Sequence, residues 1–133
     1  MTAAAGPAAG PAASPAAAPD PAPRLVIVVN DVPAAGAEVP LRYALVAAAL
    51  DADVEVHCVG ASVAWLRNGA APAPLQQQLD EAAAEGVRIY ACSLALAAHG
   101  VPVAELVPAV AGVRGAAALL AAGFSANARF MNF

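Results

Sequence analysis

From Leu25 to Val29 the chain runs through five apolar residues, four of them β-branched, with no polar alternation. Such continuity predicts a strand covered on both faces, as in a parallel sheet. It stops at Asn30-Asp31-Val32-Pro33. Beyond it Val39, Leu41, Leu45, Val46 and Leu50 recur at helical spacing, which predicts a helix over Glu38–Leu50. Asp51-Ala52-Asp53 ends that helix, and Val54–Val59 reads as a second strand, closed by Gly60. A short apolar segment, Val63–Arg67, ends at the turn signal Asn68-Gly69. After Pro72 and Pro74 a helix is predicted over Leu75–Glu85, with Gly86 as its cap. Val87–Ala91 is a third strand, and Ser93–His99 a short helix ending at Gly100. Glu105–Val113 holds a short helix or turn and a brief strand around Val110. Arg114–Ala122 reads as a helix stopped by Gly123, and Ala128–Phe133 as a closing strand.

Strand and helix alternate throughout. The expected fold class is therefore α/β, a three-layer α/β/α sandwich around a mostly parallel sheet of about five strands. Met1–Pro23 is different: eleven Ala, six Pro and two Gly fill 19 of its 23 positions. Frequent proline blocks helix, and no large apolar side chain is present to bury, so this stretch is expected to be a disordered tail whose removal costs no stability. The domain is then 24–133.

Composition narrows the function. Of the 133 residues 41 are alanine, so the 61% hydrophobic content supplies one core and no more. All six basic residues are arginines, scattered singly, and the net charge is −4. That excludes a polybasic surface for nucleic acid or anionic membrane. The ten-residue apolar stretch from Gly115 to Phe124 is too short to span a bilayer. No basic residue precedes Arg24, so the N-terminus does not read as a secretory signal, and a cytoplasmic setting with reduced thiols is expected.

Ligand chemistry in parallel sheets gathers at the carboxyl ends of strands. Three polar clusters fall there: Asn30-Asp31, His57-Cys58 and Cys92-Ser93. Cys92 follows the third strand and precedes a helix whose N-cap would be Ser93. Backbone N–H groups at such a place favour an anion, the condition for a reactive thiolate. The plainer reading is an inert cysteine filling space at a strand end. His57 and Cys58 should face opposite sides of the sheet; His57 is either a partner for a cysteine nucleophile or a half-buried strand-end histidine. His99, at a helix C-terminus, reads as structural. The chain has no C-x-x-C pair, no closely spaced zinc ligands, no G-x-G-x-x-G and no Walker A sequence, so neither metal nor cofactor is expected.

The segment Val87-Arg88-Ile89-Tyr90-Ala91-Cys92-Ser93-Leu94, followed by His99-Gly100-Val101, resembles the DsrE/DsrF-like family of small sulfur-handling proteins. The likeness extends through Glu85-Gly86-Val87, the strand and Asn-Gly turn within Val54–Gly69, Glu105-Leu106-Val107, Ala116–Leu120 and the closing strand, although only the Ala-Cys junction is individually specific. The resemblance implies a DsrE-like fold, a cysteine carrying sulfane sulfur as a persulfide between donor and acceptor thiols, and assembly into trimers, hexamers or hetero-oligomers. By position that cysteine is Cys92, with Ser93, Asn30, Asp31, His57 and Cys58 as candidate binding residues. One departure is the loop after the first strand, which offers only Asn30 and Asp31 as polar groups. Two other functions remain open: a non-catalytic oligomeric scaffold, and a thiol redox-responsive protein in which Cys58 resolves Cys92. Trp65 with Leu66 reads as a packing anchor or a subunit contact. Thin alanine-rich helices should struggle to cover Trp65, Leu66, Phe124, Phe130 and Phe133, so a homo-oligomer is expected with Trp65 and the C-terminal Phe residues partly at subunit contacts.

Overall fold

The computed structural model describes residues 22–133. The expected tail, 1–23, lies outside them apart from Ala22 and Pro23, whose carbonyls accept hydrogen bonds from Asn127 Nδ2 and from the Asp53 amide.

Five strands form one sheet: β1 (Arg24–Asn30), β2 (Asp53–Val59), β3 (Arg88–Cys92), β4 (Val110–Arg114) and β5 (Ala128–Asn132). Their order is β4-β3-β2-β1-β5, and every pairing is parallel. The helices between them are α1 (Glu38–Ala49), α2 (Ala73–Ala84), α3 (Ser93–Ala98) and α4 (Ala116–Gly123). Short 3-10 turns occupy Ala34–Gly36, Gly60–Leu66 and Val103–Glu105. The chain builds outward from β1 to β4 and then returns to place β5 on the other side of β1.

The uninterrupted apolar strands are buried as their pattern demands. Leu25, Ile27 and Val29 share one face with Val54, Val56 and Cys58 and with Ile89 and Ala91. Onto this face α1 presents Leu41 and Ala44 and α2 presents Leu75, Leu79 and Ala82, forming the main core. Helix α4 packs on the opposite face over β1 and β5. There Gly123 lies so close to Phe130 that a Cβ on it would sit 1.8 Å from Phe130 Cζ.

Three helices end in the same way. Beyond α2, Gly86 has φ 90° and its amide reaches Ala83 O, while the Val87 amide reaches back to Ala82 O. This Schellman ending satisfies orphan carbonyls and turns the chain straight into β3. Gly100 and Val101 repeat it after α3, and Asp51 and Ala52 after α1, with Asp51 at φ 65°.

Trp65 and Leu66 take the packing role, and the expected subunit contact for Trp65 is overturned. Both are buried in the core through the 3-10 segment Gly60–Leu66. Trp65 Nε1 donates to Val32 O at 2.8 Å, and the Val32 amide donates to Ser62 Oγ at 2.8 Å, so this segment is fastened to the exit of β1. Phe133 is half-buried against Tyr43 of α1, ring centroids 5.6 Å apart. Phe124 and Phe130 do remain exposed. The brief strand around Val110 proves to be a full edge strand that includes Arg114, so α4 begins two residues later than the sequence reading had it.

Candidate functional site

The second face of the sheet carries the polar residues of the central strands. Alternation puts Asp53, Glu55, His57 and Val59 of β2 on it, beside Arg88, Tyr90 and Cys92 of β3 and Arg114 of β4. At the amino ends Asp53 is paired with Arg88 and, at 3.0 Å, with Arg24. Burial works against its charge, but the two guanidiniums outweigh it and hold the carboxyl below its ordinary range.

One step along β2, Glu55 is 3% exposed yet fully engaged. Its Oε1 lies 2.9 Å from His57 Nε2, and its Oε2 3.3 Å from Arg88 Nη2. His57, also 3% exposed, packs against the Tyr90 ring at 5.1 Å. Burial lowers its pKa from the usual 6.5 and prevails over the opposing pull of Glu55. Arg114 lies over the other partner of this stack: its guanidinium carbon is 4.2 Å from the Tyr90 ring centroid, and Nη2 donates to the Tyr90 hydroxyl at 3.2 Å.

At the carboxyl end this face opens into a cavity of about 70 Å³, lined by His57, Val59, Cys92, Leu94, Arg114 and Leu119 among others. That volume holds about two water molecules, which suits a single added sulfur atom or a small group. Its wall is mostly apolar, with one thiol, one imidazole and one guanidinium.

Cys92 is the last residue of β3 and occupies the N-cap position of α3, half-buried. Ser93 is therefore the first helical residue, not the cap, and its side chain is exposed. The reason is geometric: Cys92 already has extended backbone angles, φ −72° and ψ 125°, immediately before the helix. Cys58 points to the opposite face and is completely buried in the main core, where desolvation pushes its thiol up to about 12. The two thiols are on opposite sides of the sheet, which removes Cys58 as a binding residue and as a resolving partner in the folded chain.

Asn30 and Asp31 stand at the carboxyl end of β1 but do not line the cavity. Asp31, at φ 54°, accepts a hydrogen bond from the Ala61 amide at 2.6 Å through Oδ1. Gly60 is required beside it, since a Cβ there would fall 2.1 Å from the same oxygen. Asp31 thus ties β1 to the segment after β2. Among the described residues no group of three or more His, Cys, Asp or Glu could hold a metal ion, and no helix is long and apolar enough to cross a membrane.

The sequence reading brought Cys92 and His57 to the site and missed Glu55, Tyr90 and Arg114. A signal existed for the first two. Glu55 and His57 alternate with valines on one strand, and Tyr90 and Cys92 alternate on the next.

Among solved structures the chain is similar to the ychN protein from E. coli, with a TM-score of 0.73 and 21% identity over 84% of this chain and 99% of that one. It is also similar to MTH1491 from Methanobacterium thermoautotrophicum, described as a protein of unknown function, with a TM-score of 0.68 and 18% identity over 83% and 98% of the two chains. Both likenesses concern the fold. No curated protein matches in sequence. The five-stranded parallel sheet with its flanking helices, and the match of residues 24–133 to the sequence profile of the DsrE/DsrF-like family, place the chain in that family.

Proposed function

We propose that this protein is a sulfur carrier in which Cys92 takes up sulfane sulfur as a persulfide and passes it to an acceptor thiol. The observation that carries the reading is the asymmetry of the two cysteines. Cys92 opens onto a small, mostly apolar cavity beside His57 and Arg114, while Cys58 is sealed in the core. Sulfane sulfur is soft and weakly hydrated, so an apolar wall suits the added atom. A persulfide is also anionic when ionised, and the Arg114 guanidinium supplies a compensating charge at the rim. Donor and acceptor are proteins or small molecules bearing thiols, and the setting is cytoplasmic, as the family membership suggests.

Assembly belongs to the same proposal. Leu94, Leu120, Phe124 and Phe130 are exposed apolar side chains on or near the elements that frame the cavity. Residues of this kind mark contact surfaces, and they support a homo-oligomer, a trimer or hexamer, whose subunits meet around the cavity. Trp65 has no part in that contact. Sedimentation or light scattering of the full chain at micromolar concentration checks it, and a stable 13.0 kDa monomer contradicts it.

The sulfur reading is tested by incubating the chain with a polysulfide and mapping the adduct by mass spectrometry. A gain of about 32 Da on Cys92, reversed by a thiol reductant, is expected. An unmodified Cys92 under conditions that load a reference sulfur-carrier thiol refutes it.

A further inference from the structure

Sulfur transfer to Cys92 requires a proton to leave the thiol and another to reach the departing group, and the cavity contains one side chain suited to both. His57 and Cys92 both line it, on neighbouring strands and two positions apart in register, since His57 pairs with Tyr90. Glu55 Oε1 stands 2.9 Å from His57 Nε2, and Glu55 is itself paired through Oε2 with Arg88. A carboxylate only accepts, so the shared proton sits on Nε2 and Nδ1 is left as a base. The groups facing the ring are few. Glu55 lies on its own strand, Arg88, Tyr90 and Cys92 on β3, and Arg114 on β4; β1 places Val28 opposite it, and α4 contributes no titratable side chain. Burial, reinforced by Arg114 and Arg88, keeps the imidazole uncharged at neutral pH against the pull of Glu55.

We propose that His57 is the base that takes the Cys92 proton and returns it to the donor, with Glu55 as the positioning residue that fixes its tautomer. This rests on the reading of Cys92 as the sulfur carrier. In the step, Cys92 Sγ–H gives its proton to His57 and the thiolate bonds to the outer sulfur of a donor persulfide, R–S–SH. The donor S–S bond breaks, its electron pair stays on the departing R–S⁻, and that thiolate takes the proton from the imidazolium. The products are Cys92–S–SH and R–SH. The transferred sulfur keeps its oxidation state, so no oxidant or reductant is consumed.

The experiment is the pH–rate profile for iodoacetamide alkylation of Cys92 in the full chain, compared with His57→Gln and Glu55→Gln. The unsubstituted protein is expected to show an imidazole inflection below pH 6.5. His57→Gln should abolish it and slow alkylation at pH 7 about tenfold or more. Glu55→Gln should keep the inflection but move it to lower pH, because the charge that favours the imidazolium is gone. Profiles that superimpose after correction for stability overturn the proposal, since a merely structural pair would leave them alike. The unsubstituted chain provides a second measurement should either variant fail to fold. It contains only two histidines, His57 and His99, so their ring signals can be followed separately by NMR. Carbamidomethylation of Cys92 should move the His57 titration; an unmoved His57 overturns the proposal. Neither readout uses a sulfur donor. A Cys92 that never gains sulfur while its alkylation still depends on His57 refutes the carrier reading alone.

Discussion

Raising the pH should destabilise this protein through a single buried thiol. Cys58 is fully enclosed by the core formed by β1–β3, α1 and α2, and that burial lifts its pKa from the ordinary 9.0 to about 12. In the unfolded chain the thiol releases its proton near pH 9, whereas the folded chain retains it until about pH 12. Between those values the native state binds one more proton than the unfolded state, so stability falls as pH rises. The slope is about 1.4 kcal/mol per pH unit, and three units amount to about 4 kcal/mol. That is a large share of the ~5–15 kcal/mol expected for a domain of this size. Urea midpoints measured from pH 8 to 11.5 for the native chain and for Cys58→Ala would isolate the effect. At pH 8 the variant should be less stable by about 1 kcal/mol, the cost of the missing sulfur contacts. Above about pH 10 the order should reverse, because the variant has no thiol to keep neutral. The same numbers leave only about one Cys58 in 10⁴ ionised at pH 8, so an alkylating reagent should consume one thiol per native chain, at Cys92. Parallel pH curves for the two proteins, or equal labelling of both cysteines without unfolding, would refute the reasoning.

Three further outcomes are expected. Below pH 6.5 the unfolded chain protonates His57 more readily than the folded one, so stability should drop as pH falls from 7 towards 5; thermal melts of His57→Gln should show a weaker acid dependence than the native chain. Asp51 holds a left-handed conformation at the end of α1, and Asp51→Gly should raise stability by about 0.5–1 kcal/mol in urea titrations. Gly123→Ala forces the Phe130 ring aside and should cost about 1–3 kcal/mol. In a Phe130→Ala background the same change should become neutral or stabilising, since alanine favours helix by about 1 kcal/mol over glycine; additive effects in that double-mutant cycle would contradict the packing described for α4.

The parts of the fold visible in the sequence are those with strong local patterns. The unbroken apolar run of β1 announced a doubly covered strand, and α1 and α2 followed from apolar spacing. β4 was only half visible because Val110-Ala111-Gly112-Val113-Arg114 has two substantial apolar residues and a glycine. It is an edge strand with an irregular register opposite Ile89 and Tyr90. Misplacing its end put Arg114 on a helix and hid the stack with Tyr90. The choice between packing and contact at Trp65 is hidden from the sequence for a different reason. Burial of this residue depends on a hydrogen bond to Val32, 33 residues earlier, which no local pattern reports. Glu55 escaped notice because a charged residue inside a strand normally signals solvent, and its partners become apparent only when β2 and β3 are laid side by side.

Asp53 sits at the opposite end of the strands from the cavity, yet it has a say in what the cavity contains. It clasps Arg24 of β1 and Arg88 of β3, gathering three neighbouring strands at their starting points. Odd and even positions on β2 carry opposite chemistry: Glu55 and His57 on one side, Val56 and Cys58 on the other. A slip of β2 by one position would reverse that parity, exposing the inert thiol to the cavity and forcing the carboxylate and imidazole into the aliphatic interior. Two guanidiniums converging on one carboxylate therefore act as a proofreading clamp, and they protect the identity of a site they never touch.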